Sequence, residues 1–194
     1  MDVEGLDPVR IMAAFRAHGV RTVVVGGMAA LAHGSVTPTD DVDIAVADDD
    51  DNLDRLALAL QQIGARPVTD DASGGSGSGP RESFATLGGR LDCIMLSVAV
   101  FDPMYERGSE IHVGHGVSAR VASIADLADL KRRSGDLGAS VRIAAFSGEA
   151  DDIVTRVPEI DPSDDGEAPG TGMTDKVWRA LEGVDRFLTN LVDR

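Results

Sequence analysis

Residues 23–46, VVVGGMAALAHGSVTPTDDVDIAV, restrict what this chain can fold into more than any other stretch. A β-branched run, Val23, Val24 and Val25, ends in Gly26-Gly27 and passes into the helix-favouring Met28-Ala29-Ala30-Leu31-Ala32-His33. After a polar turn, a second strand-like run holds Asp41-Val42-Asp43-Ile44. Alternate residues of a strand share a face, so Asp41 and Asp43 project together while Val42 and Ile44 point into a core. Paired carboxylates facing a glycine turn at the start of a helix suit a divalent metal beside a polyphosphate. The pattern points to phosphoryl transfer.

Each half alone has an ordinary explanation: Asp-x-Asp as a solvated strand edge, Gly-Gly as a tight turn. The order strand, Gly-Gly, helix, then Asp-x-Asp inside a new apolar strand favours a site. A dinucleotide loop would need Gly-x-Gly-x-x-Gly after the strand, and Gly26-Gly27-Met28-Ala29-Ala30 does not supply it. A Walker loop would need a following Gly-Lys-Ser/Thr, which is also missing.

Gly26-Gly27 followed by Asp41-x-Asp43 resembles the signature of the polymerase-beta-like nucleotidyltransferase superfamily. At finer grain, GGMAALAHG over residues 26–34 and TPTDDVDI over 37–44 look like the AbiEii/MenT nucleotidyltransferase toxins of toxin–antitoxin systems. The likeness is strongest over 20–46 and extends more loosely over 90–157. One departure is Thr37, where such sequences often carry an Arg.

Composition bounds the rest. With 194 residues, 43% of them hydrophobic, the chain can build one well-buried core with an appended helical part. Aromatic residues make up only 4%, so Val, Leu, Ile and Ala must fill that core. The single cysteine, Cys93, excludes an internal disulfide and fits a reducing cytoplasm. No apolar run reaches the length of a membrane span, and the N-terminal Met-Asp-Val-Glu-Gly does not resemble a signal peptide. The formal net charge of −15 opposes nucleic-acid binding. The acid is uneven, however: much of it falls in 48–51 and 159–167, which read as solvated loops. Between Arg120 and Arg142, five basic residues (Arg120, Lys131, Arg132, Arg133, Arg142) face three acidic ones. That stretch is either a local basic face or a solvated helix of mixed charge.

Along the chain, Asp7-Pro8 predicts a helix start and Gly19 its stop. Strands are expected at 23–25 and 41–46 around the short helix after Gly27. Leu53, Leu56, Leu60 and Ile63 predict a helix over 52–63 that ends at Gly64. A short strand follows near 66–68. Residues 70–80, containing Gly-Gly-Ser-Gly-Ser-Gly-Pro, read as a loop. Residues 83–86 and 90–96 read as strands paired across Gly88-Gly89, followed by short strands near 110–113 and 119–121. Ser123 with Asp126 three residues on predicts a capped helix through Leu130. Two helices at 141–146 and 150–157, a linker and an amphipathic helix at 174–192 complete the reading. The expected class is α/β (α+β): a mixed-sheet nucleotidyltransferase core with a helical C-terminal part. Its divisions fall at 1–122 for the core, 123–160 for helices completing the active site, 161–172 for a linker and 173–194 for a terminal helix.

Other residues have two readings each. Asp92 lies in the apolar strand Leu91-Asp92-Cys93-Ile94, where a carboxylate is costly unless paired or metal-bound; alternatively it faces water from an edge strand. Lys131 late in a helix suits the dipole. His112-x-x-His115 is better read as a hairpin tip than as half a metal site. His33 is read as shaping the turn towards Asp41.

The resemblance implies more. Asp92 takes the position of the superfamily's third carboxylate, a metal ligand beside Asp41 and Asp43. Lys131, in Asp129-Leu130-Lys131, matches a lysine that faces the nucleotide phosphates. Asp152 best fits a later helical Asp that assists catalysis, although the intervening family motif reads Gly135-Asp136-Leu137-Gly138-Ala139 here. Gly26 and Gly27 let the backbone approach the triphosphate. The implied activity is Mg2+-dependent transfer of a nucleoside monophosphate from an NTP to an acceptor hydroxyl, with Asp41, Asp43, Lys131 and Asp152 as catalytic residues. The implied setting is a cytoplasmic toxin that modifies the 3′ end of tRNA and is restrained by a cognate antitoxin. Two alternatives stand beside it. One is an enzyme of the same fold with a small, aminoglycoside-like acceptor, which the net acidity suits. The other is a non-catalytic binding module, against which the intact Asp41 and Asp43 argue.

Overall fold

The computed structural model describes residues 5–68 and 81–133. In chain order these form α1 (Pro8–Ala17), β1 (Thr22–Val25), α2 (Gly26–Ala32), β2 (Asp41–Ala47), α3 (Asp50–Gln62) and β3 (Arg66–Pro67). They continue with β4 (Arg81–Thr86), β5 (Gly89–Leu96), α4 (Val98–Arg107), β6 (Ser109–Gly114), β7 (Val117–Val121) and α5 (Ile124–Arg133).

Local chemistry explains most of these boundaries. The Asp7 carboxylate accepts from the Arg10 N–H at 3.0 Å and Pro8 opens α1, while Gly19, at φ +65°, ends it. Asp49 caps α3 in the same way, accepting from the Asn52 N–H at 2.9 Å. Asp50 and Asp51 lie in the first turn of that helix, where negative charge faces the positive end of the dipole. The acidic run at 48–51 is therefore largely a helix start, not the solvated loop its composition suggests. Helix α4 is also absent from the sequence reading. Pro103 stands inside it, removing one backbone donor, and Val98 and Val100 are poor helix formers. Burial of Phe101 and Met104 outweighs those costs.

The seven strands form one mixed sheet in the order β3-β4-β5-β2-β1-β7-β6. Strand β2 lies near its middle, parallel to β5 and antiparallel to β1. It is buried at every position from Val42 to Ala47, as expected of a strand covered on both faces. Helix α3 packs on β2, α4 on β1, β2 and β5, and α2 on β1 and β2. The core is aliphatic, with Phe15, Phe84 and Phe101 its largest fully buried side chains. At the far edge, His115 adopts a left-handed φ of +49° between β6 and β7, as expected of a hairpin tip.

The expected loop at 70–80, the helices at 141–146, 150–157 and 174–192, and the linker at 161–172 lie outside the described residues. So do Asp152 and Arg142. Among the described residues, no helix is long and apolar enough to cross a membrane.

Candidate active site

Register brings the carboxylates together. Strand pairing sets Val25 beside Asp43, Asp43 beside Asp92, and Asp92 beside Ser83, one row across four strands. Asp41 shares the Asp43 face two residues earlier. As a result, Asp41, Asp43 and Asp92 each offer an oxygen within 4.8 Å of the others. Asp92 is not on an edge: β5 is enclosed by β4 and β2, and the residue is 5% exposed. Three clustered carboxylate oxygens form a hard donor set of the kind that Mg2+ or Mn2+ takes.

The glycine pair makes room for this cluster. Gly26 has φ +60°, and a Cβ on it would lie 1.9 Å from Asp43 Oδ2. A Cβ on Gly27 would lie 2.5 Å from Thr39 Oγ1. Thr39 in turn donates its hydroxyl to Asp41 Oδ1 at 2.8 Å. Gly26 is thus required by the packing of Asp43, and Gly27 by that of Thr39, which holds Asp41.

Two arginines that sequence reasoning missed sit among the acids. Arg81 Nη2 bonds Asp43 Oδ1 and lies 3.1 Å from Asp92 Oδ2. Arg90 Nε donates to Asp92 Oδ1 at 3.3 Å, and its Nη2 to Ser83 Oγ at 3.4 Å. A signal for Arg90 was present, since it stands two residues before Asp92 and so shares its face. Arg81 follows from the hairpin register, which puts Ser83 opposite Asp92 and Arg81 two residues from Ser83.

Asp43 is pushed above the ordinary carboxylate value of 3.8, first by burial and then by Asp41 and Asp92, with Arg81 and Lys131 opposing. Lys131 on α5 therefore lies close enough for its ammonium to be felt at the cluster. Helix α5 is held there from two sides. Arg107, at the end of α4, grips Asp126 in a fork, Nη2 to Oδ1 at 2.5 Å and Nε to Oδ2 at 3.3 Å. Asp126 also forms the expected box with Ser123, whose Oγ accepts from the Asp126 N–H at 3.2 Å. The His33 Nε2 donates to the Ala122 carbonyl at 2.8 Å and ties the end of α2 to the entry of α5.

The free thiol of Cys93 is fully buried, and burial raises its pKa, so it offers no nucleophile. In the expected basic stretch, Arg120 donates to the Tyr105 and Gly108 carbonyls, both at 2.9 Å. Arg132 and Arg133 both pair with Asp129, at 3.2 and 2.8 Å.

No family model and no curated protein matches the chain. Solved structures do match. The solution structure of the antibiotic-resistance factor ANT(2'')-Ia aligns over 76% of this chain and 85% of its own, at 19% identity and a TM-score of 0.53. The crystal structure of ANT(2'')-Ia in complex with adenylyl-2''-tobramycin aligns over 76% and 91%, at 20% identity and a TM-score of 0.50. This chain has the nucleotidyltransferase fold. An antigenic nucleotidyltransferase-like protein from Paracoccidioides brasiliensis also aligns, over 98% and 94%, at 15% identity and a TM-score of 0.46. Within the nucleotidyltransferase fold of this chain, the acidic cluster lies where β1 ends and β2 and β5 begin, beside the Gly26-Gly27 turn.

Proposed function

We propose that this chain is a metal-dependent nucleotidyltransferase that moves a nucleoside monophosphate from an NTP to an acceptor hydroxyl. The observation that carries the reading is the meeting of Asp41, Asp43 and Asp92 beside the Gly26-Gly27 turn. A divalent cation such as Mg2+, held by these three residues, would neutralise triphosphate charge and align an in-line displacement. Gly26 and Gly27 leave the backbone bare at the approach to the phosphates, and Lys131 adds positive charge from α5. The acceptor oxygen attacks the α-phosphorus, the bond to the β-phosphate oxygen breaks, and pyrophosphate leaves. The hydroxyl proton passes to a carboxylate of the cluster or to Asp152.

The acceptor proposed is the 3′ end of tRNA, with the protein a cytoplasmic toxin held in check by a cognate antitoxin. This rests on the resemblance of residues 26–34 and 37–44. A second acceptor is favoured by specific observations. Within the described part of the basic stretch, Arg120, Arg132 and Arg133 are engaged within the protein, and the net charge is −15. A small cationic acceptor, such as the tobramycin adenylylated in the ANT(2'')-Ia complex, suits that surface.

Incubation with each labelled NTP, Mg2+ and either total RNA or an aminoglycoside tests both readings. The parent should label one acceptor class, and Asp41→Ala should label neither while keeping its melting transition. Wild-type transfer by Asp41→Ala in Mg2+ would remove the assignment. Labelling of an aminoglycoside without RNA would remove the toxin reading.

A further inference from the structure

The contacts of Arg81 go beyond those of a surface ion pair. Its guanidinium bonds one oxygen of Asp43 and lies 3.1 Å from one oxygen of Asp92, two carboxylates side by side on neighbouring strands. Asp43 and Asp92 are 8% and 5% exposed, so their charges need a counter-cation close at hand. A divalent metal at the cluster would draw on the same oxygens. Guanidinium and metal therefore compete for one set of lone pairs. The Arg81 side chain is itself 49% exposed, so packing does not lock it in that position. When it leaves, Asp92 keeps Arg90 on its other oxygen at 3.3 Å. The forked donors of a displaced arginine match phosphate oxygens well.

We propose that Arg81 is an internal counter-cation that holds Asp43 and Asp92 until metal and nucleotide arrive together, and then passes to the nucleotide's phosphates. The inference rests on the nucleotidyltransferase reading above. It makes metal and NTP binding mutually reinforcing: metal alone must displace a charge-assisted bond, whereas metal with triphosphate gives the arginine a new partner. Coupling of this kind is reciprocal, so NTP must tighten metal by the factor that metal tightens NTP.

The test is direct measurement of Mn2+ binding by the electron paramagnetic resonance of the free ion, with and without a non-hydrolysable NTP analogue. Parent, Arg81→Gln and Arg81→Lys are compared, each checked for an intact melting transition. Without nucleotide, Arg81→Gln should bind Mn2+ about tenfold more tightly than the parent, the scale of one charge-assisted bond. With the Mn2+ held by the analogue alone subtracted, the analogue should tighten Mn2+ on the parent more than on Arg81→Gln. In turnover, KM for NTP should rise more than kcat falls, and Arg81→Lys should lie between the two. If Arg81→Gln does not fold, Arg81→Lys alone must show tighter Mn2+ binding and weaker coupling than the parent.

Equal Mn2+ affinity in parent and variant, or an equal gain from the analogue, overturns the inference and leaves the nucleotidyltransferase reading standing. A parent that binds no Mn2+ in either state overturns both.

Discussion

The central strands β1, β2 and β5 end in two different chemistries. Where β1 begins and β2 ends, the Asn52 side chain is fully buried and fully used. Its Oδ1 accepts from the Arg21 N–H at 2.7 Å, and its Nδ2 donates to the Arg21 and Ala47 carbonyls at 3.1 and 3.2 Å. The Arg21 guanidinium pairs with Asp102 and lies over the rings of Phe101 and Tyr105 at 5.3 and 5.5 Å. At the opposite end, Asp41, Asp43 and Asp92 crowd together, and Asp43 is held above its ordinary pKa. The same apolar strands thus support a stitched end, whose polar groups satisfy one another, and a strained end, where burial and the neighbouring acids disfavour the Asp43 charge despite Arg81.

The comparison predicts opposite outcomes for two single substitutions. Asp43→Asn should abolish transfer yet leave the urea midpoint at pH 7 unchanged or higher. The sign follows from the raised pKa: folding disfavours the charged carboxylate, so ionisation costs stability as pH rises from about 3.8 through the folded-state value. Above that window the cost is constant, and Asn removes it. Asn52→Ala should do the reverse. It strands one N–H and two carbonyls at about 1–3 kcal/mol for each buried unsatisfied group, a loss of roughly 2–4 kcal/mol in all after relaxation. Transfer kinetics at low denaturant should not change. A midpoint lowered by Asp43→Asn as far as by Asn52→Ala would erase the distinction between the two ends.

Much of this architecture can be read in the sequence because local signals agree with the fold. Asp7-Pro8 and Gly19 bound α1, Ser123 and Asp126 open α5, and the alternation of Asp41 to Ile44 places two acids on one face. What fails is informative. Helix α4 is concealed by Pro103, since only the burial of Phe101 and Met104 reveals why a helix tolerates it. The pairing of β2 with β5 is long-range, and no local rule puts Asp92 beside Asp43. Asp92 therefore stays ambiguous until register decides its surroundings. The reach of Arg81 to Asp43 was hidden for the same reason, although the hairpin register alone brings it near Asp92. An arginine opening a polar strand reads as solvated, and its contact with Asp43 depends on a neighbouring strand's neighbour.

Lys131 sharpens the contrast, because it is the cation that α5 brings to the strained end. Lys131→Ala should lower kcat/KM by about 2.7–4 kcal/mol, the scale of one electrostatic donor to a transition state, or roughly 100- to 1000-fold. Stability should change little, since the Arg107–Asp126 fork still anchors the helix. Unchanged kinetics for nucleotide and acceptor would return Lys131 to a helix-dipole role.

The smallest expected effect concerns the acceptor. Arg132 and Arg133 continue α5 past Lys131, and both lean on Asp129. If tRNA is the acceptor, they must exchange that carboxylate for phosphates, and each contact contributes about −0.7 to −0.9 to the slope of log affinity against log salt. Replacing both with Ala should then flatten the slope by that amount per lost contact and reduce tRNA labelling, with NTP binding unaffected. Their pairing with Asp129 limits the change, because breaking two ion pairs offsets part of each new contact. A small cationic acceptor makes the opposite prediction. Transfer would be indifferent to both arginines across the salt series, and the strained, acidic end of the sheet would attract the acceptor by itself.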